Sequence, residues 1–110
     1  MRHEIPHDLE LPTAKLAARK AVESYAIEFD KYGFKSVWTT DTNVEISFSI
    51  KGMRLGGTFS VHPDKLLLEL DVPLLFRVFI GRAVTVIDKE GKKWLAKAKR
   101  GELDGGGENS

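Results

Sequence analysis

Apolar side chains follow two different periods along this chain, and the change from one to the other sets out its elements. Between Pro12 and Tyr32, Ala14, Ala17, Ala18, Ala21, Val22, Tyr25, Phe29 and Tyr32 recur in three- and four-residue steps. That spacing places them on one stripe of a helix. Lys15, Arg19, Lys20, Glu23, Asp30 and Lys31 fill the remainder, and Gly33 is a natural residue just past the end. The stripe is rich in alanine and predicts close approach to a flat surface. Leu16 and Ile27 fall off it and are expected at the surface.

From Phe34 the period shortens to two. Phe34 to Thr40 predicts a strand, and Asp41, Thr42 and Asn43 predict the turn that ends it. In Val44 to Lys51, Val44, Ile46, Phe48 and Ile50 alternate with Glu45, Ser47, Ser49 and Lys51, the mark of a sheet with one dry face. A reversal at Gly52 and Met53 leads into a third strand, Arg54 to His62, with Leu55, Phe59 and Val61 inward. Gly56 and Gly57 weaken it and predict a bulge or a close helix approach. The turn from His62 to Lys65 opens a fourth strand carrying Leu66, Leu68, Leu70 and Val72, and the short connections predict an antiparallel meander. Arg2, Glu4 and Ile5, beside Pro6, are candidates for a fifth, edge strand.

The densest apolar run, LLLELDVPLLFRVFI over residues 66–80, is a corner where strand hands over to helix. Pro73 suits a first helical turn, and Asp71 offers an oxygen to cap it. The last helix is predicted from Pro73 to about Lys99, with Phe76, Phe79, Ile80, Ala83, Val86, Ile87 and Trp94 on one side. Gly91 within it leaves room for a kink or an early end, at about 1 kcal/mol relative to alanine. The expected fold is α+β: an antiparallel meander of four to five strands with both helices on one face, in the order β-α-β-β-β-β-α. Residues 1–100 are expected to form one domain and residues 101–110 a polar, glycine-rich, disordered tail.

Composition narrows the function. With 42% hydrophobic and 30% charged residues the chain reads as an ordinary globular domain. It lacks the run of about 18 apolar residues that a membrane helix needs, and its polar start has no signal-peptide core, so a cytoplasmic setting is expected. No cysteine is present, which excludes disulfides and thiolate chemistry. The balance of 17 basic against 16 acidic side chains exerts no general pull on nucleic acid.

Candidate chemistry is sparse. His3 and His7 have the spacing of a helical metal pair, but Pro6 between them opposes a helix, and no metal site is expected. Glu45, Glu69 and Asp71 fall on the polar sheet face, where carboxylates are ordinarily solvated. No GxSxG, HExxH, Walker-type or GxGxxG pattern occurs, so neither catalytic residues nor a cofactor are expected, nor an enzyme. Lys92, Lys93, Lys97, Lys99 and Arg100 suit a helix C-terminus on electrostatic grounds, and nucleic-acid binding is not expected of them. The feature in excess is the apolar opening of the last helix, where Leu74, Leu75 and Val78 flank a stripe already supplied by Phe76 and Phe79. Two readings compete: these side chains fill a corner of the fold, or Leu74, Leu75 and Val78, with Leu16 and Ile27, form the candidate interaction patch, in which case the chain is expected to self-associate.

Three stretches carry a family resemblance: HEIPHDLELPTAKLAARKAVE, VEISFSIKGMRLGGTFSV and LLLELDVPLLFRVFIGRAVTVIDKEGKKWL, together spanning about His3 to Leu95. In pattern and length the chain resembles the polyhydroxyalkanoic acid system proteins encoded in the granule region of polyester-storage loci. The resemblance implies a non-enzymatic accessory protein of polyhydroxyalkanoate metabolism, located at the storage granules and partnered by the granule, by granule proteins or by further copies of itself. It brings no catalytic residues. The alternative is a binding module for a small apolar ligand, with a pocket between the sheet and the C-terminal helix.

Overall fold

A computed structural model describes residues 1–103, the side chains of Leu75 and Phe79 excepted. Its elements are β1 (Arg2–Pro6), α1 (Leu11–Glu28), a 3-10 turn (Asp30–Tyr32), β2 (Lys35–Trp38), β3 (Asn43–Ile50), β4 (Met53–Val61), β5 (Lys65–Asp71), a second 3-10 turn (Leu74–Phe76) and α2 (Arg77–Lys99). The fold is α+β, as the periodicities predict. β2 to β5 form an antiparallel meander in register, and β1 returns to pair with β5, giving the order β1-β5-β4-β3-β2.

Alternation along each strand separates the two faces of this sheet. Ile5, Val44, Ile46, Phe48, Leu55, Phe59, Val61, Leu66, Leu68 and Leu70 turn inward and are buried under the helices. α1 and α2 cover them and pack closely on each other, and Ala14, Ala17, Ala18 and Ala21 of α1 are all 0% exposed. Tyr25 meets Phe59 edge-on at 5.6 Å, and Phe29 stacks on Phe48 at 5.7 Å. α2 runs antiparallel beside α1. Tyr25 Oη donates to the Ile87 carbonyl at 2.8 Å, and Trp94 Nε1 donates to Ser24 Oγ at 2.7 Å. Burial first, then the nearby carboxylates of Glu90 and Asp88, push the Tyr25 phenol far above its ordinary range, so it acts only as a neutral donor.

Several local expectations give way to packing. α1 stops at Glu28, because Phe29 turns out of helical geometry to reach Phe48; Gly33, left-handed at φ 66°, ends the 3-10 turn instead, and Tyr32 is 38% exposed. The β3–β4 reversal is Lys51–Gly52, both at positive φ, one residue earlier than expected. Asp71 ends β5 and does not cap a helix: no side-chain cap is made at the 3-10 turn or at α2.

The glycines follow close approaches. β4 runs through Gly56 and Gly57 without a bulge. A Cβ on Gly57 would run into the Glu69 carbonyl oxygen and lie 2.9 Å from Leu70 Cα, so the neighbour that requires glycine is strand β5 and not a helix. At Gly91 α2 continues unbroken, and a Cβ there would sit 2.8 Å from Ile5 Cδ1 and 3.2 Å from Tyr25 Oη. Gly101, left-handed at φ 72°, closes α2 with bonds from its own N–H to Ala98 and from Glu102 N–H to Lys97. Leu103 folds back on the core. The rest of the tail, expected to be disordered, lies outside the described residues.

Candidate functional site

The candidate patch is divided in space. Pro73 keeps an extended ψ of 146°, so the chain leaves β5, makes one 3-10 turn and enters α2 only at Arg77. This corner carries Leu74 and Val78 outward, 76% and 85% exposed. Of Leu75 only the backbone is described. Ile27, 75% exposed, stands in the last turn of α1, at the end of the helix pair where α2 begins. Leu16, 42% exposed, shares a face of α1 with Ile27 but stands about 16 Å along the axis from it. Lys20 and Glu23, paired at 3.6 Å, occupy the same face between them. Two separate apolar sites result, one at each end of the helix pair.

Beside Val78 the structure opens a groove of about 650 Å³. Its floor comes from Phe29, Phe48 and Ile50, with Ala83 and Val86 of α2 as one wall and Tyr32 at the other end. α1 has stopped at Glu28, and the β3–β4 hairpin runs on past that end, so sheet and α2 face each other there without α1 between them. Lys31, Lys51 and Arg82 line the rim, opposed by Glu28. Sequence reasoning places a pocket between sheet and C-terminal helix but misses these cations. The α1 stripe continues through Phe29 to Tyr32 in the sequence, so nothing in the periodicity signals that the helix stops at Glu28 and leaves the groove open.

The histidines and carboxylates hold structure together. His3 Nε2 lies 2.8 Å from Asp88 Oδ1, which ties β1 to α2, and Lys92 contacts the other oxygen at 2.8 Å. Burial opposes ionisation of Asp88, yet the hydrogen bonds from Lys92 and His3 outweigh it and hold its carboxyl below the usual range. His7 accepts from Leu9 N–H at Nδ1 and stands 2.9 Å from the His62 carbonyl at Nε2, so the Nε2–H tautomer satisfies both. His62 stands 3.0 Å from Ser60 Oγ. Among the described residues no group of three His, Cys, Asp or Glu side chains is placed to hold a metal ion.

On the open sheet face, Glu45, Thr58, Glu69 and Arg2 stand in one register row. Thr58 separates the two glutamates by two strand spacings, about 10 Å. Asp71 stands two residues further along β5, opposite Gly56. These acids form a dispersed row.

The basic end of α2 is largely neutralised locally. Lys92 pairs with Asp88, Lys93 with Glu90, Lys99 with Asp8 and Arg100 with Glu102. Lys93 and Lys97 lie over the Trp94 ring, at 5.1 and 5.5 Å from its centroid. Trp94 is thus covered by cations and bonded to Ser24, not offered as a stacking platform. Among the described residues no helix is long and apolar enough to cross a membrane.

No curated protein matches the chain in sequence. A family model does: the one described as "Putative polyhydroxyalkanoic acid system protein" matches residues 2–95, which takes in every strand and most of α2. The chain belongs to that polyhydroxyalkanoic acid system family.

Proposed function

We propose that this chain is a non-enzymatic accessory protein of the polyhydroxyalkanoate storage system, working by contact in the cytoplasm at the storage granule, and that it self-associates through the opening of α2. The observation that carries the reading is the exposure of Leu74 and Val78 at 76% and 85%, on a corner that presents them away from the core. Fully burying one such side chain is worth about 1.5–3 kcal/mol. A pair on each of two copies therefore supplies a strong drive to associate. The half-buried polar groups of the described residues support the non-enzymatic reading, since His3, Asp88 and His7 are engaged in joining elements and the His62 ring is engaged by Ser60.

Light scattering over a concentration series tests the association. Dimers or larger species are expected, and Leu74→Glu with Val78→Glu should convert them to monomers with an unchanged circular dichroism spectrum. A protein that stays monomeric at every concentration would sink this reading. Granule contact is tested separately, by imaging a tagged copy in polymer-accumulating and polymer-free cells. One observation favours the second reading, a small apolar-ligand module: the groove between the sheet and α2.

A further inference from the structure

We propose that the groove between the end of α1, the β3–β4 hairpin and the first turns of α2 binds the free carboxylate of a medium-chain aliphatic acid, its alkyl tail on the apolar floor and its head at the basic rim. The proposal deepens the ligand-binding reading and does not depend on self-association. A volume of about 650 Å³ falls within the usual range of small-molecule sites. The floor is apolar and built: Phe29 stacks on Phe48 at an interplanar angle of 13° and both are fixed in the core, so they hold the floor rigid. The half-buried Ile50 and Val86 supply the open aliphatic surface under a tail. Val86 and Ala83 offer only aliphatic carbon on the α2 side.

Charge selects the head group. Lys31, Lys51 and Arg82 line the rim against the single acid Glu28, which leaves the groove cationic in a chain whose overall charge is only +1. Arg82 makes no ion pair among the described residues, unlike Lys92, Lys93, Lys99 and Arg100 in the same helix. Its planar fork matches a carboxylate. A neutral ester or alkane would leave this rim unused.

Isothermal titration of the full chain with butanoate, hexanoate, octanoate and decanoate, each below its micelle concentration, tests the assignment. The dissociation constant should fall about three- to fourfold per added methylene once the tail reaches the floor. Methyl octanoate should bind more weakly than octanoate. Arg82→Glu, an exposed substitution, should weaken octanoate by about fivefold or more while leaving methyl octanoate unchanged. Amide shifts on adding octanoate should concentrate in residues 28–32, 48–51 and 78–86.

Val78 belongs to both the association corner and the groove lining, whereas Leu74 belongs to the corner alone. The same titration in the Leu74→Glu variant therefore weakens association without altering the groove, and distinguishes failure of one proposal from failure of the other. Affinity independent of chain length, an ester that binds as well as the acid, or indifference to Arg82→Glu would each overturn the assignment. So would concentration-dependent shifts at these residues in the absence of any acid, which would make a second copy the occupant.

Discussion

At the scale of single residues, what holds this molecule is a few contacts that join elements far apart in sequence. Tyr25 to Ile87, Trp94 to Ser24 and His3 to Asp88 each cross from one end of the chain toward the other. Asp88 is the one whose ionisation matters, because its depressed carboxyl couples folding to pH. A group depressed in the folded state contributes stability that is present above its unfolded pKa and lost as the pH falls through the folded value. Acid unfolding should therefore draw on Asp88 below about pH 4. Asp88→Asn should cost about 1–2 kcal/mol at neutral pH in urea unfolding, and should flatten the acid limb of a stability-against-pH curve. If that limb is identical in the variant, the coupling lies with other carboxylates.

Glycines 57 and 91 belong to the same scale and show what a linear sequence hides. Each reads as a weakness in its own element, a break in a strand or a helix. Each is instead imposed by a neighbour, β5 at Gly57 and Ile5 with Tyr25 at Gly91. Periodicity reports which way a residue points; it does not report how near the next backbone lies.

At the scale of elements, most of the fold was legible. The two-residue period of Val44 to Lys51 and the alanine stripe of α1 fix strand and helix without reference to anything distant, and the structure keeps both. Ends were less legible. α1 halts at Glu28 because Phe29 is drawn to Phe48, and α2 starts at Arg77 because Pro73 stays extended; these are tertiary choices. The candidate site lies at those two ends, which is why its apolar corner was readable and its basic groove was not. Leu16 shows a further limit, since its distance from Leu74 depends on the antiparallel placement of the helices.

The alanine stripe also makes a prediction about the helix as a whole. Ala14, Ala17, Ala18 and Ala21 are fully buried, and α1 makes its closest approach to α2, as near as methyl groups allow. Ala21→Leu should overpack that layer and lower stability by about 1–3 kcal/mol in urea unfolding, even though leucine is nearly as good a helix former. Leu16→Glu, on the opposite face, should leave stability within about 0.5 kcal/mol of the parent. Equal effects from the two would mean that the stripe has room to spare.

At the scale of the whole molecule, the strand order explains how the ends are fastened. The meander β2 to β5 could stand alone as a sheet, but β5 would then be a long apolar edge carrying Leu66, Leu68 and Leu70, the kind of edge that recruits other chains. β1 covers it. Its inward residues face α2: Ile5 is fully buried under Gly91, and His3 reaches Asp88. The following loop is tied to the end of the same helix by Asp8 and Lys99 at 2.6 Å. One short strand thus blunts an edge, fills the space opened by a glycine and anchors the closing helix.

Removing residues 1–6 should act through all three contacts together. The shortened chain should lose the cooperative unfolding transition of the parent and accumulate as aggregates through the bared edge of β5, seen as scattering that Leu74→Glu with Val78→Glu does not suppress. That last comparison separates the two kinds of association: one native and carried by the corner of α2, the other a consequence of an open sheet. A truncated chain that unfolds cooperatively and stays dispersed would show that β5 is protected by its own flanking charges, Glu69 and Asp71, and that β1 is an accessory to the sheet instead of its closure.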